Sequence, residues 1–339
     1  MATQKREWIT FFGLLAAILT VIYFLFFTLT PTPETGPKEK IRIGLSKDPV
    51  AWNFLVAVQK GFLAQQGLEL EVISYPSGKR ALKGLLNGEV DYCNSSEVPV
   101  AFSAFKHSPN EFGIIATIGS VDNEVKVIAR RDSGIAEPSD LKGKRVGTQS
   151  FSAVHFFLDM FLQKYAMRGH IDLIYEENED LSHKLSSGEL DAISTREPFL
   201  TMAMQSLGDN AIIFQEPGLY RKSSHIVAST SVIAGSPEVS KKLLKALLMA
   251  EAWMQQSPAE AAAFIAKTIH VDELSVLAFL KDADLRIRFD QSIIQTLEDV
   301  GAWALDEGFT ESRTIPNYFS YLHPEILADI KPVSVTIVY

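Results

Sequence analysis

Leu85-Leu86-Asn87-Gly88-Glu89-Val90-Asp91 returns 100 residues later as Leu185-Ser186-Ser187-Gly188-Glu189-Leu190-Asp191. A second pair lies upstream of these, Arg42-Ile43-Gly44 and Arg145-Val146-Gly147, 103 residues apart. Two matches in one order at nearly one spacing point to an internal duplication. Each copy reads strand, helix, strand, helix, strand. In the first, strand Ile41–Leu45 leads to a helical stretch from Asn53 to Gln66, with Gly67 placed as a C-cap. Strand Leu68–Tyr75 alternates Leu68, Leu70 and Val72 with Glu69 and Glu71. Amphipathic Lys79–Asn87 ends at Gly88, and a short strand follows over Val90–Cys93.

The second copy repeats the plan: Arg145–Gly147, a helix Ser152–Met167, strand Ile171–Tyr175, helix Leu181–Ser187 closed by Gly188, and Ala192–Ser194. Strands alternating with helices predict mainly parallel sheets with right-handed crossovers. Between the copies, the apolar runs Phe112–Gly119 and Glu124–Arg130 flank Val121-Asp122-Asn123, a candidate hinge, and Ile226–Ile233 is the candidate return strand. Helices are expected at Pro237–Gln256, Pro258–Ile269, Glu273–Leu280 and Gln291–Glu307, as structural packing. The predicted fold is a two-lobed α/β molecule, with residues 41–122 and 230–339 as lobe 1 and 123–229 as lobe 2.

Ahead of the lobes, residues 1–30 read as a signal anchor. Lys5 and Arg6 precede an uncharged apolar run from Ile9 to Leu29, long enough as a helix to span roughly 30 Å. The run ends without a small-x-small cleavage site, so an uncleaved transmembrane helix is expected. Basic residues on its short side place that end in the cytoplasm and the lobes on the periplasmic, extracytoplasmic side of the inner membrane. Residues 31–40, PTPETGPKEK, form a Pro-rich linker.

The 339 residues are 47% hydrophobic and 22% charged, as in a globular chain. The net charge of −9 carries no basic stripe, which argues against nucleic acid as a partner. One cysteine, Cys93, supplies neither an internal disulfide nor a Cys-based zinc site. The seven histidines show no metal-ligand spacing, and no nucleophile elbow, zinc-protease or P-loop pattern is present. No cofactor, metal or catalytic residue is expected.

In open α/β sheets, ligands bind beyond the carboxyl ends of the strands. After the first strand stand Asp48 and Trp52, the latter either a pocket wall or ordinary core. After the third stand Ser95, Ser96 and Glu97; Glu97 is either a first-turn helix residue or a hydrogen-bond acceptor for a ligand. In the second copy, Gln149, Ser150 and Ser152 open a helix whose N-terminus suits an anion, although a serine there also serves as an N-cap. Arg196 and Glu197 follow the last strand, and Arg196 either holds a ligand carboxylate or sulfonate or makes a surface ion pair.

At these residues the chain resembles the nitrate/sulfonate/taurine-type solute-binding proteins of ABC importers, with their type II periplasmic-binding fold. The resemblance spans roughly residues 41–330 and is strongest in Asp140-Leu141-Lys142-Gly143-Lys144-Arg145-Val146-Gly147. It continues through Ser95-Ser96-Glu97-Val98-Pro99 and Glu197-Pro198-Phe199. It implies capture of a small polar solute by lobe closure, with an ABC permease and ATPase as partners. The solute is either a sulfonate- or nitrate-type oxyanion or a nitrogenous precursor. The chain departs from the family in carrying Arg196 where an aromatic is common, and in its helical anchor. An enzymatic branch of the fold uses a cysteine-rich motif that Cys93 alone does not supply. A solute sensor or accessory protein for a membrane partner is the alternative reading, with an enzyme on the same fold less favoured.

Overall fold

The computed structural model describes residues 38–338. The predicted anchor over 9–29 lies outside them; within them, no helix is long and apolar enough to cross a membrane. Two five-stranded sheets organise the chain. The first contains β1 (Glu39–Ser46), β2 (Leu68–Tyr75), β3 (Tyr92–Ser96) and β4 (Phe112–Asp122). The second contains β5 (Lys126–Arg130), β6 (Arg145–Thr148), β7 (Asp172–Tyr175), β8 (Ala192–Thr195) and β9 (Ala211–Phe214). Strand β10 (Arg221–Ser229) then returns to the first sheet.

The strand orders, β2-β1-β3-β10-β4 and β7-β6-β8-β5-β9, are the same pattern twice. In each, the first three strands are parallel and the fourth is antiparallel to both neighbours. The echoed motifs occupy equivalent places. Arg42 Nη2 donates to Asp91 Oδ1 at 2.6 Å, and Arg145 Nη2 to Asp191 Oδ1 at 2.7 Å. Each aspartate also accepts the backbone N–H of its arginine at 2.9 Å, which ties the first strand of a copy to the turn before its third. Gly88 and Gly188 have φ of 76° and 83°, a left-handed conformation that a Cβ disfavours, where the preceding helix stops.

Core packing follows the strand period. Val127 and Ala129 join one apolar cluster of the second sheet while Ile128 joins the other, so alternate residues serve opposite faces. In the first lobe a larger cluster gathers β1, β3 and β4 with helix Pro237–Gln256. Leu243, Leu244 and Leu247 of that helix are fully buried, each contributing about 1.5–3 kcal/mol by leaving water.

Four details differ from the sequence reading. The return strand is Arg221–Ser229 rather than Ile226–Ile233, so residues assigned to lobe 2 up to 229 include a strand of the first sheet. The predicted helix Asn53–Gln66 is two pieces, Trp52–Gln59 and Phe62–Gln65, separated at Gly61 with φ 74°. Strand β9, an edge strand, was not anticipated. The predicted linker overlaps β1, which already pairs at Glu39 and Lys40. Two short segments cross between the sheets and touch each other: Asn123 Nδ2 donates to Gln215 Oε1 at 3.3 Å, and Gly218 N donates to Asp122.

Candidate functional site

A cavity sits between the lobes, where the strand ends face one another. The carboxyl ends of β3 and β6 supply Asn94, Ser96 and Gln149, and the loop after β8 supplies Arg196. Two helix N-termini enter it from opposite lobes: Ser77–Lys79 at the head of helix Gly78–Leu86, and Ser152–Val154 at the head of helix Ala153–Lys164. First-turn N–H groups have no partner within their helix, and the helix dipole adds partial positive charge there. Ser77 Oγ accepts from Arg80 N at 3.3 Å, whereas Ser152 Oγ turns away from capping and donates to the Gln149 carbonyl at 2.6 Å. Gln149 is itself fixed, donating to Glu177 Oε2 at 2.7 Å and accepting from Asn178 at 2.9 Å.

Charge is concentrated at the floor. Lys222, 1% exposed, donates to Asp48 Oδ2 and, at 2.5 Å, to Glu124 Oε2. Arg196, 6% exposed, stands 4.0 Å from the same Asp48 oxygen and donates to the Glu197 carbonyl at 3.0 Å. Burial pushes the Asp48 carboxyl upward, but Lys222 and Arg196 outweigh it and hold it below its ordinary value. Glu124 goes the other way, raised by burial and by the Asp48 charge. Lys79 lies at the top of the cavity and donates to the Ser150 carbonyl of the other lobe at 2.8 Å. Burial lowers its ammonium, with Glu177 partly opposing. The three lining cations Lys79, Arg196 and Lys222 therefore meet two carboxylates, Asp48 in the lining and Glu124 behind it. Thr148 Oγ1, Thr195 Oγ1 and Asn178 Oδ1 are buried without a protein partner, an arrangement that costs about 1–3 kcal/mol per group unless completed.

Of the residues singled out from sequence, Asp48, Ser96, Gln149, Ser152 and Arg196 line this cavity. Ser150 stands at its rim through Lys79. Four do not line it. Trp52 packs edge-on against Phe279, ring centres 4.9 Å apart, so it is core. Glu197 turns back onto its own helix and accepts from Thr201 Oγ1 at 3.0 Å. Ser95 is fully buried in β3. Glu97 lies beneath the floor, where it accepts from Tyr220 Oη and from Ser223 N at 3.0 Å, and burial pushes its carboxyl to about 7.

Ser77, Lys79, Asn178 and Lys222 also line the cavity without having been anticipated, whereas Asn94 belongs to the strand-end stretch Asn94–Pro99 expected there. Ser77–Lys79 and Asn178 follow the second strand of their copies, and the strand-end rule extended to β2 and β7 finds them. Lys222 lies early in an antiparallel strand, so its amino end, rather than its carboxyl end, faces the cleft. Among the described residues, no group of three His, Cys, Asp or Glu is placed to hold a metal ion.

Residues 48–261 match the family model described as NMT1/THI5 like. A Brucella abortus (strain 2308) protein provisionally named a binding protein is 22% identical over 257 residues, covering 74% of this chain and 77% of its own. The taurine-binding periplasmic protein of Escherichia coli (strain K12) is 22% identical over 131 residues, 38% of this chain and 40% of that protein. Among solved structures, the alkanesulfonate-binding protein SsuA of Xanthomonas axonopodis pv. citri, bound to MOPS, superposes with a TM-score of 0.73 at 16% identity. That match covers 86% of this chain and 100% of SsuA. The desulfurization enzyme DSZB superposes with a TM-score of 0.60 at 16% identity, covering 85% and 98%. At such identities these superpositions establish a shared two-sheet, periplasmic-binding-protein-like fold.

Proposed function

The chain belongs to the NMT1/THI5-like family, and from that premise we propose that it is the membrane-anchored, extracytoplasmic solute-binding component of an ABC importer. Its solute is a small oxyanion of the sulfonate class, captured when the lobes close. The observation that carries this reading is the pair of helix N-termini, Ser77–Lys79 and Ser152–Val154, converging from opposite lobes on a cavity that also holds Arg196 and Lys222. Each lobe alone offers half of the anion's partners, so only the closed form satisfies both sets and ligand binding favours closure. Asp48 positions Lys222 and Arg196 by direct ionic contact. Relatives named for taurine and alkanesulfonate binding support the same solute class. We assign ligand contact to Ser77, Lys79, Asn94, Ser96, Gln149, Ser152 and Arg196.

Binding rather than turnover is favoured by Cys93. It is fully buried in β3, and burial raises its thiol, so it offers no ready thiolate nucleophile. The anchor over 9–29, read from sequence, holds the lobes at the membrane where a permease and ATPase would be met.

Thermal unfolding with a panel of sulfonates, nitrate, amines and pyrimidines tests the reading. A cognate sulfonate at about 100 times its dissociation constant adds roughly 2.7 kcal/mol. A panel in which only amines or pyrimidines stabilise the protein overturns the oxyanion assignment, and a panel with no stabiliser overturns solute capture.

A further inference from the structure

The inner cavity opens past Lys79 and Pro99 into a larger groove that the same two residues also line. Counted as space for the centres of water-sized groups, the cavity has ≈ 20 Å³ and the groove ≈ 580 Å³. About 10–15 Å³ on this measure accommodates one water, so the cavity itself has room for little more than one water-sized group, and the rest of any ligand extends into the groove. Anything bulkier leaves through the groove.

The groove has a distinct composition. Its floor is aromatic: Phe151 lies 4.9 Å from Phe102 and 5.5 Å from Phe309, centre to centre, and Trp303 backs Phe102 at 5.7 Å. Phe151 holds φ of 52°, a conformation non-glycine residues seldom adopt. His155 Nδ1 accepts its N–H at 3.3 Å, keeping the ring on the floor. The lip is basic, formed by Arg80, Lys83 and Lys106. Arg80 faces Glu177 at 3.4 Å, while Lys83 and Lys106 have no ion-pair partner among the described residues. On a chain of net charge −9, a cationic lip only partly offset by Glu177, over an aromatic floor, runs against the average surface.

Resting on the oxyanion reading above, we propose that the ligand is an elongated anion with a flat or apolar body and a negative group at each end. One end lodges at Lys79 and Arg196, the body lies over Phe102, Phe151 and Phe309, and the far end meets Lys83 and Lys106. The aromatic floor selects the body by burial and ring contact. The lip selects the second charge, by a screened and therefore salt-sensitive interaction.

Calorimetric titration of the full chain in detergent with methanesulfonate, 2-naphthalenesulfonate and 2,6-naphthalenedisulfonate separates the parts. The monosulfonated naphthalene binds about ten-fold tighter than methanesulfonate, and the disulfonate a further three- to five-fold or so. The second gain vanishes at high salt. Phe309→Ala removes the first step and Lys83→Ala with Lys106→Ala removes the second. Methanesulfonate binds all variants equally, which also certifies their folding. The inference is overturned if the naphthalene probes bind no tighter than methanesulfonate, or if both steps survive the substitutions. Binding of methanesulfonate without either step defeats only the elongated ligand; failure of all three probes defeats the oxyanion reading with it.

Discussion

Lys79 Nζ on the first lobe donates to the backbone carbonyl of Ser150 on the second across 2.8 Å. This bond joins the two helix N-termini that line the cavity, so the group we assign to ligand contact also fastens the lobes. Lys79→Met keeps much of the stem's packing and removes the charge. A lost charged hydrogen bond costs about 1.5–3 kcal/mol. The variant is expected to bind small anions at least ten-fold more weakly and to have a larger radius of gyration in small-angle scattering. Unchanged scattering and affinity would remove Lys79 from both roles.

Arg196 takes part in the cavity's charge balance from the opposite lobe. Arg196→Gln retains hydrogen bonding and loses the cation beside Asp48. Sulfonate affinity is expected to fall by about two orders of magnitude, since a charged partner contributes roughly 1.5–3 kcal/mol. Arg196→Lys should recover only part of this, because an ammonium lacks the guanidinium fork. Titration calorimetry on the two variants distinguishes a ligand contact from a structural ion pair, which the lysine would restore.

Glu97 imposes a pH dependence of known sign. Its folded value, about 7, exceeds the ordinary 4.5 because burial disfavours the charged form. The protonated carboxyl therefore contributes stability fully present below about 4.5 and lost as pH rises through about 7. Glu97→Gln is expected to gain on the parent chain by roughly 3 kcal/mol between pH 4.5 and 8 in urea unfolding. His225, lowered to about 3 by burial, acts oppositely: its stabilisation is present above 6.5 and is lost as pH falls through about 3. A stability difference between the parent chain and the Glu97→Gln variant that stays flat across pH would show that Glu97 ionises freely.

The duplicated clasps, Arg42–Asp91 and Arg145–Asp191, lie in separate sheets. Asp91→Ala and Asp191→Ala each remove a backbone and a side-chain partner, at a cost of about 1–3 kcal/mol. The losses should sum in the double variant to within about 0.5 kcal/mol, as expected for sites without shared partners. Strong non-additivity in denaturant unfolding would mean that the lobes do not behave as separate units.

The duplication was legible because its signature residues are constrained by backbone geometry. Gly88 and Gly188 need left-handed φ, and Asp91 and Asp191 need a strand N–H and an arginine. A Cβ on Gly147 would approach Leu190 Cδ1 to 2.6 Å, so that position admits little else. Helices Pro237–Gln256 and Pro258–Ile269 were placed to the residue, since proline marks each start. Half of the candidate site was legible for a similar reason, because parallel strand ends are fixed by the motif. Lys222 was not, because an antiparallel strand reverses which end meets the cleft. Trp52 stayed open between pocket wall and core because an aromatic after a strand serves both equally well, and only Phe279, distant in sequence, decides between them. The groove was invisible for the same reason: Phe102, Phe151 and Phe309 are brought together only by tertiary packing.

Strand β10 lies between β3 and β4. On the ribosome, β4 thus emerges about a hundred residues before the neighbour that joins it to its sheet, while every strand of the other sheet, β5 to β9, is already contiguous in the chain. A chain that has emerged from the ribosome only as far as Tyr220 would hold a finished second lobe beside an open first one, its fully buried Phe112–Val121 face still waiting for cover. A chaperone that shields apolar strands has its natural binding window there, and the lobe that begins the chain's folded part is the last to mature.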